Sequence, residues 1–364
     1  MSHNIESPKH IIIVTTLFDH GGIATYWQSI AREMDGKYKF IVFSNLVKDL
    51  DPDPFKLKNV IVIPELIWKA PLKSCKILID LVIKYNPESV FFNGTLAKFK
   101  LLPAIILLRI LFSKINLCTV FHSGALYQSN FKNNINLWLV KFSTLFISRR
   151  IFVSKAVEMY WSIRGETITR PFIAKVKDRL HSKSPGEGYK IGFLGRLSTE
   201  KDPFMLAKAA LIANKSIPVT VEFAGLGALK KSLEADFPQY SYKGWVAASE
   251  WLPTIDLLVN SSKTEGWPLS VIEALEVGVP VIAFNVGGNG EVLEDVSNFA
   301  IVFERTEEAL AQKIVEFLKN YESNCKNYFE LLMRRKQQTL QDWSLSIIQI
   351  KQSSGQVHSI STNT

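Results

Sequence analysis

The sequence predicts an α/β protein built from two doubly wound parallel sheets that face each other across a central cleft. Three observations predict it. Short apolar runs alternate with longer helical patterns from near residue 10 to near residue 160, and the alternation restarts near residue 189. Between the two blocks, from Ile163 to Gly188, the pattern dissolves into polar and basic residues punctuated by Pro171 and Pro185, as a linker does. The length, 364 residues, exceeds what one ordinary core organises and suits two domains.

In chain order, the first block places strands at His10–Thr15, Lys39–Ser44, Asn59–Pro64, Ser89–Phe92, Asn116–His122 and Arg150–Val153, each rich in Ile, Val or Phe. Helical spacing fills the intervals at Ile23–Met34, Leu72–Tyr85, Thr95–Phe112 and Asn133–Phe146. The second block places strands at Lys190–Leu194, Val219–Ala224, Ser241–Gly244, Asp256–Asn260, Val279–Phe284 and Phe299–Val302. Its helices are expected at Pro203–Asn214, Ala228–Glu234, Ala248–Leu252, Pro268–Val277, Glu307–Asn320 and about Glu322–Leu340. Pro268 suits a first helical position, and Gly278 with Pro280 ends that helix. The expected division is 1–170, a linker 171–188, a second domain 189–340, a terminal helix 341–352 and a frayed Ser/Thr-rich tail 353–364. No short repeat period points to a solenoid.

Composition excludes some classes. With 47% hydrophobic and 21% charged residues the chain is a folded globular protein rather than a disordered one. Cys75, Cys118 and Cys325 lack metal-like spacing and read as bystander thiols in a reducing compartment. Ile11-Ile12-Ile13-Val14 is too short for a signal peptide and leads into Asp19-His20-Gly21-Gly22, a strand and its turn, so a cytoplasmic location is expected. Charge is uneven: residues 1–185 hold 26 Lys/Arg against 13 Asp/Glu, and the remainder holds 17 against 21. Residues 89–157 contain no acidic residue and nine basic ones, among them Lys98, Lys100, Arg109, Lys114, Lys132, Lys141, Arg149 and Arg150. That run overlaps the apolar stretch Leu101–Phe112, which is too short and interrupted to span a bilayer. Docking on an anionic membrane face, a plain core helix and nucleic-acid binding all remain open, although no nucleic-acid motif is present.

The stretch from Ser261 to Leu275 carries the clearest chemistry. Glu265 lies in a loop just before a helix, where free N–H groups and the dipole favour anionic ligands. Glu273 sits inside that helix between Leu269 and Val277, which is costly for a charge unless it is partnered. Taken alone, the pair reads equally as a site or as helix residues paired with Lys. Four glycine turns follow strands. Gly21-Gly22 lets the backbone approach a phosphate at a helix start. Gly195-Arg196, with Lys201 at the next helix, forms a natural diphosphate clamp, since Arg holds phosphate bidentately. Gly225-Leu226-Gly227 permits a base or ribose to come close, and Gly287-Gly288-Asn289-Gly290-Glu291 reads as a cleft loop. His122-Ser123-Gly124 ends a strand on the first sheet, where a His can donate to a hydroxyl or phosphate or exchange a proton. Ser154-Lys155 reads as a helix cap with an acceptor-side lysine. No Walker A motif, nucleophile elbow or zinc helix occurs, and Asp51-Pro52-Asp53 lies away from every glycine turn, so no metal is expected.

Together these residues resemble the retaining glycosyltransferases of family 4, also called glycosyltransferase group 1, with the GT-B fold of two Rossmann-like domains. The resemblance covers nearly the whole chain and is sharper after residue 189. It rests on Glu265-Gly266-Trp267-Pro268-Leu269 through Glu273-Ala274-Leu275, the family's E-x7-E element, in order with Gly195-Arg196, Lys201, Ala224-Gly225-Leu226-Gly227 and Gly278–Ala283. Gly21-Gly22 and His122 match more loosely. The resemblance implies catalytic roles for Glu265, His122, Arg196 and Lys201. It implies a donor site formed by Gly21, Gly22, Gly195, Arg196, Lys201, Gly225, Trp245, Glu265, Gly266, Trp267, Pro268, Leu269, Ser270 and Glu273. Glu265 would address the transferred sugar, Glu273 the ribose, and the two cations the diphosphate. It also implies a terminal helix that crosses back to the first domain. The implied function is retaining, metal-independent hexosyl transfer, without a cofactor. The donor would be a nucleoside diphosphate sugar, UDP rather than GDP, and the acceptor a lipid-linked or growing polysaccharide at an anionic inner membrane face. A non-catalytic binding subunit of a membrane-associated glycan assembly complex is the alternative. Thr167–Val176 lacks the family's usual Asn-Gly, and Thr25 falls about where many members carry Arg.

Overall fold

The computed structural model describes residues 8–15, 22–44, 57–64, 70–93, 100–122, 138–170, 188–334 and 340–348. The first sheet holds β1 (Lys9–Thr15), β2 (Tyr38–Ser44), β3 (Val60–Pro64), β4 (Ser89–Asn93), β5 (Asn116–Phe121), β6 (Arg149–Phe152) and β7 (Glu166–Thr167). Its order is β3-β2-β1-β4-β5-β6-β7, with every pair parallel. β1 shows why such a strand is apolar throughout: Ile11 and Ile13 enter one core layer and Ile12 and Val14 the other. Helix Gly22–Glu33 buries Trp27 and Ile30 in the first layer, and helices Pro71–Tyr85 and Leu102–Leu111 fill the second.

The second sheet holds β8 (Tyr189–Leu194), β9 (Val219–Ala224), β10 (Ser241–Gly244), β11 (Leu257–Asn260), β12 (Val281–Phe284) and β13 (Ile301–Val302), in the order β10-β9-β8-β11-β12-β13. Both sheets therefore reverse their winding at one seam, β1/β4 in the first and β8/β11 in the second. Ligands of open α/β sheets bind outside the carboxyl ends of the strands at that seam.

Several expected boundaries shift. Pro268 is the N-cap, with φ −79° and ψ 85°, and the helix runs Leu269–Glu276. The stretch expected to be linker from Ile163 contains β7, which pairs with β6. A two-residue strand carries too little periodicity to be seen in a sequence. Phe299 belongs to a short helix, Ser297–Ala300, before β13. The expected helix to Leu340 is observed as Tyr321–Met333, and Leu340–Ile348 forms a separate helix. Trp343, Ile347 and Ile348 of that last helix are buried in the first domain's core. Arg149, counted above with the basic face, secures it from inside. Arg149 donates to the carbonyls of Ser346 and Ile347 at 2.6 Å each while paired with Glu166 at 2.8 Å. Arg150 is likewise occupied by the carbonyls of Thr144, Ile147 and Arg164. Among the described residues no helix is long and apolar enough to cross a membrane.

Candidate active site

The second sheet's seam gathers most of the expected donor residues. Beyond β8 and β9 the turns lie backbone against backbone: a Cβ at Gly225 would meet the Gly195 carbonyl oxygen at 1.9 Å, and one at Gly227 would meet that of Leu197 at 2.2 Å. Gly195 and Gly225 also have φ of +152° and +146°. This close packing presents Arg196, whose side chain is more than half exposed and 3.5 Å from Glu200, at the sheet's edge. Trp245, just past β10, is 56% exposed beside an exposed Leu226, an apolar surface near the same edge.

Beyond β11 the chain builds a charged network. Glu265 is buried, and its Oε1 accepts from Lys201 Nζ at 2.6 Å, Ser262 Oγ at 2.7 Å and Asn260 Nδ2 at 3.0 Å. Oε2 takes no hydrogen bond from any described residue. Lys201 and Glu265, assigned above to separate parts of a donor, thus form one unit. Arg305 braces the loop: it donates to the carbonyls of Ser262 and Ser261 at 2.8 and 2.9 Å and to Asp202 at 2.7 Å, and lies 4.5 Å over the Phe284 ring. Gly287, at φ +49°, packs so tightly that a Cβ would come within 1.7 Å of the Glu265 carbonyl oxygen. At the start of helix Leu269–Glu276 the N–H groups of Trp267, Leu269 and Ser270 have no acceptor among the described residues, so this end can receive an anion.

Glu273 differs. Burial pushes its carboxyl up to about 7, the Arg170 guanidinium opposes that shift and Glu276 adds to it. The cation whose charge acts on it is thus an Arg arriving from the first domain, which is paired with Glu276 on the same helix. Arg170 lies 3.2 Å from Glu276, its side chain about nine-tenths buried, and its carbonyl accepts from Trp267 Nε1 at 3.2 Å. Trp267 packs against the cores of both domains, so its ring is a wedge between them. Glu291 of the expected cleft loop also reaches across. It accepts from the backbone N–H groups of Lys155 and Ala156 at 3.0 and 2.9 Å, at the start of a helix that Ser154 caps internally. The contact the structure gives Lys155 is thus at its backbone, and joins the two domains.

On the first domain Gly22 opens its helix, and a Cβ there would touch Leu269 Cδ1 at 3.5 Å, so the two helix starts face each other across the cleft. His122 follows β5, with Nε2 3.0 Å from Asn93 Oδ1 at the end of β4. Gly21, Ser123, Gly124, Lys98, Lys132, most of the linker and the tail lie outside the described residues. Sequence reading missed Asn93, Asn260, Arg305 and Arg170. Asn93 and Asn260 are strand-terminal asparagines, a detectable signal at a seam, whereas Arg170 and Arg305 carry no motif. The cysteines are all buried, and burial pushes the Cys118 thiol up to about 12, which suits bystanders.

With this geometry in place, residues 188–320 match the family model described as Glycosyl transferases group 1. The second domain is of that kind, and the chain has the GT-B fold. HepE (Alr3699) of Anabaena, solved in complex with UDP and glucose, superposes with a TM-score of 0.73 at 17% identity, covering 93% of this chain and 98% of that one. The O-antigen biosynthesis glycosyltransferase WbnH of Escherichia coli is 29% identical over 40% of this chain and 41% of its own. The UDP-Gal:alpha-D-GlcNAc-diphosphoundecaprenol alpha-1,3-galactosyltransferase of Escherichia coli is 34% identical over 26% of this chain and 28% of its own. The matches thus span less than half the length of these curated relatives.

Proposed function

We propose that this protein transfers a sugar, with retention of configuration and without a metal, from a nucleoside diphosphate sugar to a lipid-linked or growing polysaccharide acceptor. The observation that carries the reading is the Glu265–Lys201 unit at the β8/β11 seam, with Arg196 exposed on the neighbouring turn. A diphosphate placed between Arg196, Lys201 and the open helix start meets two cations and unpaired N–H groups, which stabilise charge as the leaving group departs. Glu265 Oε2 is left to accept from sugar hydroxyls. Trp245 offers a face for the base and Glu273 a carboxyl for the ribose. The relatives that act in O-antigen synthesis and on diphosphoundecaprenol acceptors support this acceptor class, and the UDP-bound neighbour supports UDP as the carrier.

The same reading places the protein on an anionic membrane face. Ile110 and Leu111 are 70% and 60% exposed on helix Leu102–Leu111, and the neighbouring turn exposes Leu145 to 71%. Arg109 and Lys114 border this patch. Apolar side chains flanked by cations are what an interfacial surface requires. A panel of UDP- and GDP-sugars with a crude lipid acceptor extract tests the activity by mass-spectrometric product identification. Nucleoside diphosphate release with a glycosylated lipid is expected, and no turnover with any pair would refute it. Replacing Lys98, Lys100, Arg109 and Lys114 with Gln should release the protein from anionic vesicles at low salt.

A further inference from the structure

Two segments of the second domain must meet for Lys201 Nζ to reach Glu265 Oε1 at 2.6 Å. Lys201 lies in the turn after β8, and Glu265 in the loop after β11. The segments are tied together at several points. Ser261 Oγ donates to the carbonyls of Lys201 and Asp202 at 3.2 and 2.8 Å, and the Lys263 N–H donates to the Glu200 carbonyl at 2.8 Å. Arg305, three residues past β13, donates through Nη1 to the Ser262 carbonyl at 2.8 Å. Its Nη2 donates to the Ser261 carbonyl at 2.9 Å and to Asp202 Oδ2 at 2.7 Å. One guanidinium thus ties the residue after Lys201 to two residues shortly before Glu265.

Asp202 shows what this tie controls. It is the N-cap of helix Pro203–Ala213, a position where a carboxylate ordinarily accepts from the helix's first N–H groups. Its side chain makes no such bond; the carboxylate turns to Arg305, with Lys263 Nζ at 3.7 Å. Its backbone has φ +48° and ψ 60°, the left-handed region that few residues other than Gly adopt. A forgone cap and an unfavourable backbone persist only where the surroundings hold them. Arg305 is itself fixed. Its guanidinium lies 4.5 Å over the buried Phe284 ring, and Thr306 beside it caps helix Glu307–Lys319 by accepting from the Ala309 N–H. A lysine could not replace it, since three acceptors on two segments call for a rigid planar fork of donors.

We propose that Arg305 is a positioning residue for sugar transfer: it draws Asp202 and the carbonyls of Ser261 and Ser262 together, and so sets the reach of Lys201 to Glu265. This inference rests on the transferase reading above. The hydrogen bonds of Arg305 go to chain neighbours of Lys201 and Glu265, so it acts through them rather than on substrate. Charge adds a second effect. Without the guanidinium, the Asp202 carboxylate stands next to Lys201 with only Lys263 as an ionic partner, and competes with Glu265 for the Lys201 ammonium.

The test uses the full-length protein and reads Lys201 directly. In trace acetylation of lysines with mass-spectrometric readout, Lys201 should react slowly relative to Lys208, a more exposed lysine of the following helix. Arg305→Gln should raise Lys201 labelling relative to Lys208 by about fivefold or more. Leu318→Ala, a core truncation at the far end of helix Glu307–Lys319, destabilises the domain but should leave that ratio unchanged; an equal rise there overturns the inference. With the UDP-sugar that turns over fastest, Arg305→Gln should lower kcat/KM by about tenfold or more, and the loss should shrink below about threefold when Lys201 is already Met. A merely structural role would cost the same factor in both backgrounds, and that result overturns the inference. So does unchanged Lys201 labelling in folded Arg305→Gln. If Arg305→Gln does not fold, Asp202→Gly decides, because it keeps the left-handed backbone and removes the carboxylate. Lys201 labelling that fails to rise by about threefold in that variant overturns the inference. Absence of turnover by the native protein with every donor would instead remove the transferase reading and leave the labelling result standing.

Discussion

The two sheets share one winding and one kind of seam, yet the described residues at their edges carry different chemistry. At the β8/β11 edge a carboxylate and an ammonium pair beside a loop braced by the Arg305 guanidinium, with the Arg196 guanidinium on the neighbouring turn. At the β1/β4 edge the described polar groups include an amide, an imidazole and an indole among aromatic rings. The strands are apolar in both and only fix where the loops emerge. Among the described residues, the difference therefore lies at the strand ends and in the second domain's loops. A charged edge suits a diphosphate, and a neutral, aromatic edge suits hydroxyl groups.

The largest expected effect breaks the charged edge. Glu265→Ala leaves Lys201, Asn260 and Ser262 without their shared acceptor, and should lower kcat/KM by roughly 10²–10³-fold. If Lys201 and Glu265 act as one unit, Lys201→Met should cost nearly as much and the double variant little more than either, as a double-mutant cycle in steady-state kinetics would show. Gly287→Ala comes next. Its Cβ would collide with the Glu265 carbonyl oxygen, so the loop must move, with an expected loss of about 1–3 kcal/mol in urea unfolding and a drop in turnover without any change of charge. A stable, fully active Gly287→Ala would show that the loop is not rigid.

Glu273 sharpens the comparison through pH. Its carboxyl sits at about 7 against an ordinary 4.5, so the folded state holds the proton more tightly than the unfolded chain. That stabilisation is complete below about pH 4.5 and is lost as pH rises through 7. Between pH 5 and pH 8 the native protein should lose up to about 3 kcal/mol relative to Glu273→Gln, measured by urea unfolding at both values. In calorimetry Glu273→Gln should chiefly weaken nucleotide binding, about tenfold, with less effect on kcat than Glu265→Ala. Equal losses would show that the two carboxylates share one role. The smallest effect is expected at Glu291, where Gln retains an acceptor for the Lys155 and Ala156 N–H groups but loses the charge at a helix start. The cost should be within about 1 kcal/mol in thermal unfolding.

The sequence alone determined the two-sheet architecture, because Ile/Val/Phe runs separated by helical spacing have few other ways to bury themselves. It also determined the charged edge, because glycines at forced backbone conformations and the run from Glu265 to Glu273 are local signals. Local signals failed where partners come from far away. Arg149 read as surface charge until the last helix was seated on it, 198 residues later. Arg170 read as linker, yet it lies 3.2 Å from Glu276 and its charge acts on Glu273, and the single turn of helix between Leu269 and Glu273 says nothing of a guanidinium from the other domain. His122 was legible as a residue but its contacts were not. It lies against Asn93, 29 positions away, which in turn accepts from Trp27, 66 positions before that. Only tertiary structure brings an indole, an amide and an imidazole to one oxygen, because such a contact is set by how the elements pack rather than by any neighbour in the chain.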